Sequence, residues 1–225
     1  MPMTQTSEAI RDAIRDAIID RRLTPGTKLS EADVGKLFHV SRTLARAALQ
    51  ALSYEGLVTV EKNRGAFVAQ PSPEEARQLF AARRLLEPVI LSEAASKLEE
   101  AHSHHLKALL QEEGRLRNEH GQIARRAEIK ASGDLHLALA QIAGNAVLTR
   151  FMEELVARSS LVIAVYGQSA ISSCGHSEHH DIVEALEKRD LAQATALMLH
   201  HIDHIEADLD LTPKSGSNLR DVFGG

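Results

Sequence analysis

The chain has 225 residues, 44% of them apolar and 3% aromatic, with no Trp and a formal net charge of -5. That is enough for one large or two small folded units with proper cores, and abundant Leu and Ala with little Pro between residues 89 and 212 make it a helical composition. A single cysteine excludes an intramolecular disulfide framework, and no apolar run reaches the ~18 residues of a spanning helix.

The charge is unevenly spread. Residues 1–69 hold 10 Lys/Arg against 8 Asp/Glu, a net of +2, whereas residues 70–225 hold 16 against 23, a net of -7. An acidic body with a mildly basic head suits a DNA reader that discriminates rather than coats. The N-terminus has no apolar leader core, because Asp12, Asp16 and Asp20 interrupt it, which predicts a cytoplasmic protein.

Ser7 is expected to cap a helix from Glu8 to about Arg21, with Ile10, Ile14, Ile18 and Ile19 as its apolar stripe. Pro25-Gly26 marks a turn. Ser30 then caps a second helix, with Asp33 three residues on and Val34 and Leu37 facing inward. His39 occupies the following turn, where it has no assigned role. Ser41 opens a third helix that ends near Glu55-Gly56, with Leu44, Ala48, Leu49 and Leu52 as its apolar back. Leu57–Val60 and Ala66–Val68 read as two strands around a turn at Glu61–Gly65. Three helices and a hairpin make a winged helix-turn-helix.

Gln70-Pro71-Ser72-Pro73 reads as a stiff linker that also caps the next helix, with Pro73 at the first helical position and Glu75 closing the capping box. That helix is predicted to reach about Leu98, kinked or interrupted near Pro88, with Leu79, Leu85, Leu86, Val89 and Ile90 buried. Further helices follow at about Ala101–His120, Ile123–Ile142 and Ala146–Tyr166, the last with Leu148, Phe151, Met152, Leu155, Val156 and Leu161 inward. A polar connector covers Gly167–Gly175. Ser177 is expected to cap a fifth body helix, and Leu191 to about Leu209 form a sixth. The tail from Thr212 reads as loose or lightly docked. The expected organisation is residues 1–69 as DNA-binding head, 70–75 as linker, 76–210 as an antiparallel all-helical bundle and 211–225 as flexible tail.

The third helix carries the candidate DNA chemistry. Arg42 and Arg46 lie four apart on one face, and an arginine fork fits guanine O6/N7 or a phosphate. Thr43 can meet a thymine methyl or a phosphate, and Ser41 can cap the helix and touch the backbone. Asn63, Arg64 and Gly65 form the wing tip. Two arginines four apart are common on any solvated helix, but here helix order, wing and linker agree with them. A recognition helix of this kind reads two half-sites about one turn apart, ~34–36 Å, which implies a homodimer on a palindromic double-stranded operator.

The body carries 11 of the 12 histidines, six of them in two groups: His176, His179 and His180, then His200, His201 and His204. His136 stands apart from both. Three imidazoles from separate helices can hold Zn²⁺, or alternatively Ni²⁺. The residues alone do not choose which three, and a solvated polar surface is the plainer alternative. His102, His104, His105 and His120 read as surface or satisfied core.

The stretch LTPGTKLSEADVGKLFHVSRTLARAALQALSYEGLVTVEKNRGAFV closely resembles the winged helix-turn-helix of the GntR family of bacterial transcription regulators, over residues 8–69. Residues 76–208 resemble the helical ligand-binding domain of its FadR-like subgroup, the FCD domain. The resemblance implies DNA contacts from Arg42, Thr43, Arg46 and Gly65. It departs at Leu44 (usually Pro), Ala47 (usually Glu), His39 (usually Gly) and Asp33 (matched to a basic residue), which implies an altered operator preference. In the body, DLHLALAQIAGN, EHHDIVEAL and LMLHHIDHIEADL match family motifs and imply the metal ligands His136, His179 and His201. Ser132 stands where many relatives carry a fourth, Asp ligand. Arg83, four residues before Glu87, resembles the pocket arginine, and His204, one turn past His201, is a pocket-lining candidate. Together they imply a small carboxylate effector bridging metal and arginine.

The expected function is a ligand-responsive, sequence-specific DNA-binding regulator, a repressor released by that carboxylate. A metal- or pH-sensing regulator without organic effector is the alternative. A metal-dependent hydrolase is the third reading, and it lacks both an HExxH motif and a carboxylate base at defined spacing.

Overall fold

A computed structural model describes residues 6–20, 22–117, 119, 122–167 and 172–212, with backbone only at 117, 122–126 and 172–176. The head contains α1 (Ser7–Ile19), β1 (Lys28–Leu29), α2 (Glu31–Phe38), α3 (Arg42–Tyr54), β2 (Val58–Glu61) and β3 (Gly65–Val68). Thr6, rather than Ser7, caps α1 by accepting from the Ala9 amide at 3.2 Å. Ile10, Ile14 and Ile18 are buried along one stripe. Ser30 accepts from the Asp33 amide at 3.0 Å and its hydroxyl donates back to the Asp33 carboxylate, so an aspartate completes a compact capping box.

His39 ends α2 in the left-handed region at φ 54°. That conformation costs a residue with a Cβ roughly 1 kcal/mol. The His39 side chain is exposed. His39→Gly is therefore expected to stabilise the chain by about 0.5–1 kcal/mol, read from denaturant unfolding, the gain being trimmed by glycine's freedom in the unfolded state.

Two apolar assignments in the head need correction. Leu37 is 74% exposed, because Val34 and Gly35 are buried on α2 and Phe38 packs on the head core one turn after Val34. Leu44 is exposed at the start of α3, where Ala45 takes the inward position in line with Ala48, Leu49 and Leu52. The hairpin is also a three-stranded sheet, ordered β1-β3-β2 and antiparallel throughout, with Leu29 opposite Ala66 and Thr59 opposite Phe67. At its tip Asn63 and Gly65 both have positive φ, 63° and 103°.

The body comprises α4 (Pro73–Ser96), α5 (Glu100–Arg117), α6 (Gln122–Ala143), α7 (Ala146–Tyr166), α8 (Ser172–Glu187) and α9 (Leu191–Ala207). Ser72 caps α4 through the Glu75 amide at 3.1 Å with Pro73 in the first turn, and the helix runs on through Pro88. Its inward face is not the one expected. Leu85 and Val89 are 76% and 52% exposed, while Ala76, Leu79, Phe80, Arg83, Glu87, Ile90, Leu91 and Ala94 are buried. An arginine and a glutamate occupy core positions, so hydrophobicity alone puts the stripe on the wrong side. Phe151 of α7 is likewise half exposed. Helix α8 starts at Ser172, so Ser177 lies inside it instead of capping it. Most of the tail assigned to residues from Thr212 onward lies outside the described residues.

Helix α7 faces two interiors. Met152, Leu155, Val156 and Val162 join the body core, while Ala157 and Leu161 join the core of α1, α2, α3 and the sheet. Arg158 ties the same junction together, donating to Glu75 at 2.5 Å and Glu154 at 3.2 Å, and the Tyr166 hydroxyl donates to the Pro71 carbonyl at 2.8 Å. On its other side α7 meets α6 at Gly133, where a Cβ would lie 2.8 Å from Val156 Cγ1. Gly133→Ala is thus expected to overpack this contact by about 1–3 kcal/mol, only partly offset by about 1 kcal/mol of better helix propensity. A lowered melting temperature checks it.

Candidate functional site

His136 on α6, His179 on α8 and His201 on α9 come together in the body core, each nearly or fully buried, with one ligand atom apiece all within 4.8 Å of one another. The Nε2 atoms of His179 and His201 are 2.9 Å apart, and the His136 ring stacks on His201 with centroids 5.3 Å apart. Every outward nitrogen has a carboxylate. His136 Nδ1 meets Glu87 at 2.6 Å, His179 Nδ1 meets Glu113 at 2.9 Å, and His201 Nδ1 meets Glu178 at 2.8 Å.

This pattern fixes the tautomers. A carboxylate only accepts, so each Nδ1 carries the hydrogen and each neutral ring turns an Nε2 lone pair inward. Burial pushes His136 below the ordinary imidazole range. Burial pushes His201 well below it. Glu87 and Glu178 stay ionised: burial raises Glu87, but the Arg83 charge and the hydrogen bonds from His136 and Arg83 hold it well below the usual carboxylate range. Glu178 is held down to about 2, first by the hydrogen bond from His201 and then, against burial, by that from His204. Lone pairs converging at 2.9 Å repel unless a proton or a cation lies between them. Neutral imidazoles oriented by carboxylates are the donor set that a borderline divalent cation requires.

Arg83 completes the group. Its Nε donates to Glu87 at 2.6 Å and its Nη2 to His136 Nε2 at 3.2 Å, with both Arg83 and Glu87 buried. The Arg83–Glu87 pair is real, yet it belongs to the interior and not to the helix surface. His204 sits at the edge, partly buried, donating to Glu178 at 2.7 Å. Ser132 is only partly buried on α6, and Asp134 pairs with Lys130 at 3.3 Å instead of joining the histidines. His200 and His180 are exposed, and the side chain of His176 lies outside the described residues. Sequence reasoning missed Glu87, Glu113 and Glu178 as partners. Glu178 was detectable as the residue before His179, whereas nothing local marks Glu113.

On the head, Ser41, Arg42, Thr43 and Arg46 are exposed along the first turns of α3, and Asn63, Arg64 and Gly65 are exposed at the wing tip. Ser41 caps α3 through the Leu44 amide at 3.3 Å. Arg42, Arg46, Asn63 and Arg64 line one groove between α3 and the wing. Arg64 pairs with Glu61, and its guanidinium lies over the Phe67 ring at 5.5 Å. Among the described residues, no helix is long and apolar enough to cross a membrane.

A winged helix-turn-helix joined to an all-helical domain with a buried polar centre defines a bacterial transcription regulator of the two-domain, ligand-responsive kind. The profile of the bacterial regulatory proteins of the gntR family matches residues 6–68, and that of the FCD domain matches residues 78–204. The chain belongs to the GntR family, in the group that carries an FCD domain.

It is 29% identical over 206 residues to the HTH-type transcriptional regulator LutR of Bacillus subtilis, covering 82% of this chain and 92% of that protein. It is 28% identical over 205 residues to the HTH-type transcriptional repressor RspR of Escherichia coli, covering 91% and 89%. Among solved structures, a putative GntR regulator from Rhodococcus sp. RHA1 matches with a TM-score of 0.77 at 25% identity, over 89% of this chain and 95% of that one. The E. coli protein McbR/YncC shares the fold with a TM-score of 0.79 at 17% identity, over 91% and 97%. These matches are to regulators and not to enzymes, which sets the hydrolase reading aside.

Proposed function

We propose that this regulator is metal-responsive: His136, His179 and His201 hold a divalent cation, Zn²⁺ in the first instance, and its binding sets how strongly the heads hold DNA. The observation that carries this is the set of three inward Nε2 lone pairs, each with its Nδ1 held by a glutamate. When bound, such a cation supplies a fixed positive charge and open coordination positions. The protein's part is to keep the imidazoles neutral and aimed: burial holds His136 and His201 below the ordinary imidazole range, and Glu87, Glu113 and Glu178 aim the rings.

On the DNA side, Ser41, Arg42, Thr43 and Arg46 enter the major groove of a palindromic operator, while Asn63, Arg64 and Gly65 follow the adjacent groove and backbone. Two copies of the chain bind as a homodimer. The two parts communicate through α7, which meets α6 one turn from His136 at Gly133 and lends Ala157 and Leu161 to the head. A change in α6 around the histidines reaches the head without passing through the Pro71–Pro73 linker alone.

One observation favours a second ligand. Arg83 places a guanidinium 3.2 Å from His136 Nε2, and a cation beside a metal is best tolerated with an anion between them. A small carboxylate bridging Arg83 and the metal, with His204 at the rim, fits that need. Release from the operator on ligand binding is the direction we favour, in keeping with RspR being a repressor.

Fluorescence anisotropy on DNA from upstream of the protein's own gene tests the reading, with competitor DNA, varied salt, and Zn²⁺ added or chelated. Specific, salt-dependent binding whose affinity changes at least fivefold with Zn²⁺ is the expected result. Specific binding indifferent to Zn²⁺ and Ni²⁺ would remove the metal response. Binding that never exceeds that to randomised DNA would remove the regulator reading of α3.

A further inference from the structure

The groove between α3 and the wing contains four cationic side chains, Lys28, Arg42, Arg46 and Arg64, and a single carboxylate among its described lining residues, Glu31. Glu31 is the first residue of α2. It takes Arg46 in a two-point grip, accepting from Nε at 2.7 Å and from Nη2 at 2.9 Å. Arg46 is well exposed and Glu31 is partly exposed. An acidic residue suits the first turn of a helix, but exposed ion pairs add little to stability, so folding accounts for the carboxylate and not for its two-point grip on Arg46.

The stereochemistry suggests another purpose. A guanidinium carries five N–H donors around one rigid plane. Glu31 uses the side-on pair, Nε–H and one Nη2–H. The end-on pair, from Nη1 and Nη2, stays free and is held in a fixed plane. That pair is the one that grips guanine O6 and N7 in the major groove. Meanwhile the carboxylate repels a phosphate that approaches Arg46 from the α2 side.

We propose that Glu31 is a positioning residue for DNA discrimination, buttressing Arg46 for base reading and withholding it from the phosphate backbone. This rests on the reading of α3 as the recognition helix. Arg42 has no such partner among the described residues, so of the two α3 arginines only Arg46 is restrained in this way.

The test uses the full chain and five proteins: wild type, Glu31→Gln, Glu31→Asp, Arg46→Ala and the Glu31→Gln/Arg46→Ala double variant. Each is titrated against a duplex selected by the wild type from a randomised pool, and against randomised duplex, across a salt series. Glu31→Gln is expected to tighten binding to randomised DNA and steepen its salt slope by about 0.9, one added phosphate contact. The ratio of selected to randomised affinity should fall about tenfold. Both changes should vanish in the Arg46→Ala background. Glu31→Asp, too short to reach both nitrogens, should fall between, and melting curves confirm folding throughout.

An unchanged ratio in Glu31→Gln, or an equal change without Arg46, would overturn the proposal while leaving the DNA-reading helix intact. A wild type that selects no sequence would instead fail the reading on which the proposal rests, and the proposal with it.

Discussion

Replacing Arg42 and Arg46 together with alanine is expected to abolish selective DNA binding while leaving the fold untouched. Each arginine in bidentate contact with a base is worth roughly tenfold to a hundredfold in discrimination. Loss of both should therefore lower specific affinity by two or more decades, towards that for randomised DNA. The protein should melt as the wild type does, because both side chains are exposed and the buried face of α3 is made by Ala45, Ala48, Leu49 and Leu52. Anisotropy titration with the matching melting curve decides the matter. If specific binding survives within about threefold, the first turns of α3 are not the reader.

The second large effect concerns the histidines. With Zn²⁺ at ~100 times its dissociation constant, the wild type should gain about 2.7 kcal/mol, a rise of roughly 5–10 °C in melting temperature. His179→Ala removes one of three donors at the centre and should reduce metal affinity more than about 100-fold, so that the rise disappears. Glu113→Gln offers a graded comparison. It keeps the three imidazoles but replaces a charged acceptor with an amide, and should lose about 10–100-fold. Because His179→Ala also strips Glu113 of a buried partner, the metal-free melting temperature of each variant must be measured alongside. A wild type whose melting is indifferent to Zn²⁺ and Ni²⁺ would end the metal reading.

The sequence made the order of helices, the wing and the six-helix body readable, because isoleucine and leucine spacing, serine caps and the Pro25-Gly26 turn all act locally. What it concealed are features decided at a distance. Strand β1 is two residues long and exists only because β3 lies beside it. The buried face of α4 was hidden because Arg83 and Glu87 lie on it, held by His136 from α6, 53 residues away from Arg83. Leu85 and Val89, apolar but exposed, pointed the wrong way. Family resemblance singles out the three histidines, which the spacing of residues alone leaves open. Their glutamates come from α4, α5 and α8, so no window of sequence contains the pattern.

The helix α7 has a consequence for how the molecule comes apart. Ala157 and Leu161 complete the interior of the head, while Met152, Leu155 and Val156 of the same helix complete that of the body. A stretch of backbone that supplies two hydrophobic interiors cannot unravel for one and persist for the other. Heating should accordingly yield one cooperative transition in place of two, and a head severed at residue 69 would expose the seat that α7 fills. Amide exchange should report α1, α3 and α7 opening together as a single unit.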